Sequence, residues 1–182
     1  MKGLVFTTFY DFCEERLGDD GLDAVIEAAR LPHSGAYTSV GTYPFDEMVS
    51  LITAYVRHSG QSMPDVMGEF GEYCFRCWVK KFPDLFDGRD LFDVLAHIDD
   101  FHESEVRRLY PDAELPSFKV TSRGPDHMTL DYISCKPLAD LAAGVIRGAG
   151  QHLGAPVDVS YVATADGTRF RVERLGRARL AA

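Results

Sequence analysis

Residues 90–109, DLFDVLAHIDDFHESEVRRL, set the architecture expected for this chain. Their apolar positions recur at steps of four, three, four, four and three residues, which is one face of a helix with about 3.6 residues per turn. The positions on that face are Leu91, Leu95, Ile98, His102, Val106 and Leu109. A buried histidine must hydrogen-bond through both ring nitrogens or give one of them to a metal. The spacing therefore predicts one amphipathic helix over 90–109, with His102 as either a packing residue or a metal ligand.

The composition limits the kinds of protein that this chain can be. A chain of 182 residues has the length of a single domain, and 46% hydrophobic residues are enough to close a core. The net charge of −9 argues against a nucleic-acid partner, since phosphate binding needs clustered Lys and Arg. We see neither a signal peptide nor an apolar run near the ~20 residues of a membrane span, which predicts a cytoplasmic protein without a membrane partner. Cys74 and Cys77 form a C-x-x-C, but a zinc site would need further ligands.

Helical spacing covers the first two thirds of the chain, and the period changes to that of strands after Pro116. We expect helices over residues 3–17, 21–30, 44–59, 64–81, 90–109 and 137–152, and strands over 118–122, 128–133, 157–163 and 168–172. Helices followed by two strand pairs around a helix predict an α+β fold with an antiparallel sheet. The whole chain, 1–182, is expected to form one domain, with a helical part over about 1–110 and an α/β part over about 116–175.

Three separated motifs resemble the heme-nitric oxide/oxygen binding (H-NOX) domain, which is also the heme domain of soluble guanylate cyclases. The motifs are Met1-Lys2-Gly3, GAYTSVGTY over 35–43 and HESEVRRLYPDAELPSF over 102–118. The resemblance is collinear over about residues 1–175. It implies an N-terminal helical subdomain followed by a four-stranded antiparallel sheet with packed helices. It also implies a b-type heme whose axial ligand, and hence the metal ligand of this chain, is His102. An imidazole suits this role, because one nitrogen binds iron while a neighbouring acceptor holds the other.

The resemblance also implies a site for the heme propionates. The family uses Tyr-x-Ser-x-Arg, and the corresponding residues here are Tyr132, Ser134 and Lys136. Strand alternation would place the three side chains on one side of the sheet. Lys136 departs from the family pattern, because lysine keeps the charge of arginine but lacks its bidentate fork.

Further positions are carried over from the family to the walls of the heme pocket. Pro116 matches a proline that presses on the heme and distorts it. His97 lies five residues before His102, about 140° around the helix, and is expected at the surface or in a second layer. The positions that match residues around the porphyrin or on its distal side are Val5, Phe9, Cys74, Trp78, Leu141 and Val145.

The distal side indicates which gas binds. Oxygen-binding members carry a distal tyrosine, and the matching position here is Leu141, which cannot donate a hydrogen bond. Losing a donor to a charged acceptor costs about 1.5–3 kcal/mol, so oxygen affinity should fall by roughly one to two orders of magnitude. We therefore expect a sensor of NO, with CO as a second ligand, that excludes O2. An indole N–H of Trp78 or a thiol of Cys74 aimed at the iron would restore some donor capacity.

The resemblance predicts signalling, not catalysis. In the hypothesis, NO weakens the iron–His102 bond, the helix and the heme relax, and the movement biases a separate histidine kinase or diguanylate cyclase. Two alternatives stay open. One is a peroxidase-like heme enzyme, which would want distal acid/base groups. The other is a heme-free interaction domain of the same fold, which the lysine at position 136 favours.

Overall fold

The computed structural model describes residues 1–176, apart from the side chain of His33. The described residues divide into two compact units, Met1–Phe70 and a second that begins at Gly71. The last six residues of the predicted single domain lie outside the described part. Within that part, no helix is long and apolar enough to cross a membrane.

The first unit is helical. Helix α1 (Gly3–Ala29) is broken at Gly18, whose φ of 71° and ψ of 178° interrupt the helix where the sequence predicts a stop. A 3₁₀ helix (Pro32–Gly35) and a loop lead to α2 (Phe45–Ser59), which ends at Gly60 with a φ of 72°. Helix α3 (Met63–Lys81) begins in this unit and continues past its boundary. The predicted helices of this region are confirmed.

The core of the first unit is aromatic. Phe9 is fully buried, with ring centroids 5.0 Å from Phe70 and 5.9 Å from Tyr55. The start of α1 lies against the loop over residues 35–43, because the backbone N–H of Gly3 donates to the Gly41 carbonyl at 2.8 Å. A side chain at Gly3 would overlap the loop backbone, which explains the glycine of the first family motif.

The second unit combines helices with a sheet. Its helices after α3 are a 3₁₀ helix (Pro83–Leu85), α4 (Leu91–Ala96), α5 (Ile98–Phe101), a π-helical turn (His102–Val106), α6 (Arg107–Leu109) and α7 (Ala139–His152). Its strands are β1 (Ser117–Arg123), β2 (His127–Ile133), β3 (Val157–Ala163) and β4 (Thr168–Arg174). They pair in the order β1-β2-β4-β3, all antiparallel. The α+β class and the antiparallel sheet are confirmed.

The prediction of one continuous helix over 90–109 is wrong. The chain turns at His97, whose φ of −111° and ψ of 17° end α4. After α5, the backbone N–H of Arg107 donates to the His102 carbonyl five residues earlier, which defines the π turn. This turn holds more residues than an α turn, so side chains beyond it rotate out of the apolar stripe. Leu109, which the spacing places in the stripe, is 49% exposed.

Two ion pairs fix α4 to the sheet. Asp90 caps the helix by accepting from the Phe92 N–H at 2.9 Å, and it pairs with Arg174 of β4 at 2.6 Å. Asp93 pairs with Arg123 of β1 at 2.7 Å. The segment that leads to His102 therefore starts from an anchored helix.

Candidate functional site

His102 opens the π turn, and its ring is mostly buried. The side chain is 14% exposed, and its Nδ1 atom is buried without a hydrogen-bond partner among residues 1–176. Burial lowers the pKa of His102, while Asp99, the Pro116 carbonyl and Glu103 act in the opposite direction. The imidazole is therefore held in the neutral form, the form that ligates metals.

Asp99 joins the histidine segment to the sheet, and the sequence analysis missed it. Its two carboxylate oxygens accept from the backbone N–H of Phe118 at 3.0 and 3.1 Å. One of them lies 3.8 Å from Nδ1 of His102. The only signal in the sequence is the i, i+3 spacing of an acid and a histidine, which places both on one side of a helix.

Phe118 connects His102 with Tyr132. Its ring centroid lies 6.2 Å from that of His102 and 5.0 Å from that of Tyr132, which is its register partner across β1 and β2. Two of the predicted site residues thus contact one phenylalanine that the sequence analysis did not single out.

Tyr132 is buried, and burial raises the pKa of its hydroxyl. The other two residues of the motif lie beyond the strand, because β2 ends at Ile133. Strand alternation therefore does not govern residues 134–136, contrary to the prediction. Ser134 accepts from the backbone N–H of Lys136 at 3.1 Å. The alternation of burial nevertheless persists, because Ser134 and Lys136 are half-buried while Cys135 is exposed.

Lys136 is ion-paired in the structure. Its Nζ lies 2.5 Å from Oε2 of Glu114, which the sequence analysis missed, and 3.4 Å from Sγ of Cys135. The pair lowers the pKa of Glu114, and the same hydrogen bond raises the pKa of Lys136. Nothing in the sequence links two charged residues that lie 22 positions apart.

Cys74 and Trp78 lie on the part of α3 that belongs to the second unit, and Leu141 and Val145 lie on α7. The two helices approach closely, since a Cβ at Gly71 would lie 2.2 Å from the Leu141 carbonyl oxygen. Cys74 is buried, and burial raises the pKa of its thiol. The other three side chains are half-buried.

The remaining predicted residues are placed as follows. Val5 and Phe9 lie on α1 in the first unit, where Phe9 is part of the aromatic core. Pro116 is half-buried and directly precedes β1. His97 is exposed, as predicted, with Nδ1 2.8 Å from the Asp93 carbonyl oxygen.

The donor set of the second unit fits an iron porphyrin. His102 offers a neutral, mostly buried imidazole that has a carboxylate 3.8 Å from Nδ1. Tyr132, Ser134 and Lys136 offer two hydroxyls and an ammonium, which are partners for carboxylates. No group of three or more His, Cys, Asp or Glu side chains in residues 1–176 could hold a metal ion, whereas a porphyrin brings its own in-plane ligands.

Comparisons with known proteins agree with the resemblance to the heme-binding family. The model of a family described as Haem-NO-binding matches residues 2–161. A mutant H-NOX protein from K. algicida, solved in the Fe(II) unliganded state, is 29% identical with a TM-score of 0.88, over 99% of this chain and 100% of that one. An H-NOX protein from S. oneidensis, in the Fe(II)NO state, shares the fold at 24% identity and a TM-score of 0.86, over 97% of this chain and 100% of that one. No curated protein matches the sequence.

Proposed function

This chain belongs to the haem-NO-binding (H-NOX) family of heme-binding gas sensors, and from that premise we propose that it senses NO at a ferrous b-type heme held by His102. We further propose that the whole chain works as one sensor domain that acts on a separate protein. When bound, the heme supplies the iron that receives the gas.

The observation that carries the proposal is the state of the His102 ring. The ring is only 14% exposed, and its Nδ1 atom faces the Asp99 carboxylate, which leaves Nε2 as the nitrogen that we propose to bind iron. The lowered pKa of His102 keeps the ring neutral and able to bind a metal. Asp99, 3.8 Å from Nδ1, is the carboxylate available to orient the ring once the opposite nitrogen binds iron.

Three residues of the second unit are proposed to hold the propionates. Tyr132 and Ser134 offer hydroxyl donors, and Lys136 offers the charge. Pro116 precedes β1 and is proposed to press on the porphyrin. Cys74, Trp78, Leu141 and Val145 of the second unit are proposed as apolar walls, while the roles of Val5 and Phe9 on the first unit stay predictions of the family resemblance.

The choice of gas is proposed to follow from Leu141. Its side chain has no donor for a partly anionic bound dioxygen, whereas NO and CO carry little charge and need none. Cys74 keeps its proton at neutral pH, because burial raises the pKa of the thiol. A donor from Cys74 or Trp78 would weaken the exclusion of O2.

The signal is proposed to start at the π turn. His102 is its first residue, and Asp99 connects the same segment to β1 through the Phe118 N–H. Movement of the imidazole would therefore change a hydrogen bond to the sheet. A histidine kinase or a diguanylate cyclase in the cytoplasm is the partner that the family resemblance predicts.

Absorption spectroscopy tests the proposal directly. The purified ferrous protein should show a heme Soret band that does not convert to a ferrous–oxygen spectrum in air and that shifts when NO is added. His102→Ala should lose this band, whereas the matched variant His97→Ala, at an exposed histidine of the same segment, should keep it. A normal ferrous band in His102→Ala would sink the axial assignment, and a ferrous–oxygen spectrum in air that reverts under vacuum would sink the exclusion of O2.

A second candidate is a heme-free interaction domain. The observation in its favour is the pair of Lys136 with Glu114, which satisfies the ammonium without a propionate. Protein that shows no Soret band after expression with heme precursor and reconstitution with hemin would support this candidate.

A further inference from the structure

We propose that Glu114 takes the place of a heme propionate in the heme-free protein and releases Lys136 when the cofactor binds. The inference rests on the proposed function. It adds an ion pair that holds the segment over residues 110–116 in the heme-free protein and breaks when heme binds.

The first support is the asymmetry of the ion pair. The Lys136 side chain is 13% exposed, whereas that of Glu114 is 69% exposed. An ammonium withdrawn from water needs an anion, while an exposed carboxylate does not need a cation. Glu114 therefore serves Lys136 and can be exchanged for another carboxylate.

The second support is chemical identity. The side chain of glutamate is itself a propionate, two methylene groups that end in a carboxylate. A heme propionate reaching Lys136 would thus compete with a group of the same length, charge and acceptor geometry.

The third support is the cation. The lysine ammonium has three N–H donors on one atom, and two partners already face it, Glu114 at 2.5 Å and Cys135 at 3.4 Å. The planar fork of arginine spreads its donors over several nitrogens and can bind a second carboxylate through a separate N–H pair. A propionate that takes more than one N–H of Lys136 therefore displaces Glu114, where an arginine could hold both carboxylates.

The pair also tethers a connecting segment. Glu114 lies between α6, which continues the π turn of His102, and Pro116, which precedes β1. Its pairing holds this connection against residue 136, just beyond β2. Exchange of Glu114 for a propionate would free the connection between the proposed iron ligand and the sheet.

The heme-free protein provides the first test. Amide hydrogen exchange in residues 110–116 should be about two- to fivefold faster in Glu114→Gln than in the unmodified chain, the range expected for losing one partly exposed ion pair. The matched control is Glu173→Gln, which removes an exposed carboxylate that pairs with Arg171 at 2.6 Å. Equal exchange in Glu114→Gln and the unmodified chain overturns the tether.

The heme-loaded protein provides the second test, with transfer of hemin to excess apomyoglobin as the readout. Glu114→Gln should lose hemin about two- to fivefold more slowly, because the competitor is gone, and Glu173→Gln should match the unmodified chain. In a Lys136→Arg background, Glu114→Gln should change the rate little. Equal or faster loss from Glu114→Gln overturns the exchange while leaving the heme assignment intact. Absence of hemin binding by the unmodified chain overturns the proposed function and the exchange together.

Discussion

Replacing Asp99 with alanine should loosen the connection between the histidine segment and the sheet. Its carboxylate accepts from the Phe118 N–H at 3.0 and 3.1 Å. A hydrogen bond to a charged acceptor contributes about 1.5–3 kcal/mol when buried. Because the Asp99 side chain is 45% exposed, the lower end applies, and we expect a loss of about 1.5 kcal/mol in unfolding free energy. For a chain of this size the loss corresponds to a decrease in Tm of about 3–6 °C.

Thermal unfolding of the heme-free protein, followed by circular dichroism, measures this decrease. Asp99→Asn retains an oxygen acceptor and should lose less than half as much. Asp100→Ala is the matched control, since it removes an exposed carboxylate one position along the same segment. If Asp99→Ala and Asp100→Ala unfold at the same temperature, the Phe118 hydrogen bond does not hold β1 to the segment and the reasoning is refuted.

Two further predictions concern packing and pH. Gly71→Ala should lower the unfolding free energy by about 1–3 kcal/mol, because its Cβ would lie 2.2 Å from the Leu141 carbonyl oxygen. Gly148→Ala, whose Cβ would meet Phe75 at 3.1 Å, should cost less, and the reverse order in denaturant unfolding would contradict the close approach of α3 and α7. Burial, more than the neighbouring Cys13 and Glu47, raises the pKa of Tyr10 from 10.0 to about 12. The contribution of the protonated Tyr10 hydroxyl to the unfolding free energy is therefore complete below pH 10 and is lost as the pH rises through about 12. The tyrosinate absorbance of the native protein minus that of Tyr10→Phe should show this midpoint, and a difference titration centred near pH 10 would contradict it.

The sequence predicts those elements that local chemistry determines. Gly18 and Gly60 end helices at positive φ, where glycine is favoured, and both stops are visible in the sequence. The two hairpins, β1–β2 and β3–β4, follow from period-2 spacing and short turns, whereas the pairing of β2 with β4 across α7 has no such signal. The family motifs likewise predict roles for His102 and Tyr132 without knowledge of the contacts between them.

The parts that the sequence does not predict depend on contacts between distant residues. Asp99 binds an N–H 19 positions away, and Glu114 binds an ammonium 22 positions away, so neither pairing has a local signal. The break at His97 leaves no mark in the apolar spacing, and the ion pairs that hold α4 to the sheet join residues 30 and 84 positions apart. Apolar spacing alone could not detect the π turn, because it assumes a uniform number of residues per turn.

The π turn gives the histidine segment one residue more than a regular helical turn contains. A turn closed by an i→i+5 bond holds one more residue than an α turn and is found mostly as a single turn inside a helix. His102 is the first residue of this turn, and α4 before it is anchored by two ion pairs. Strain introduced at the imidazole is therefore expected to reach β1, through Asp99 before the turn and residues 107–116 after it, rather than α4. The path of a movement that starts at His102 thus depends on which neighbouring segment is free to change its backbone conformation.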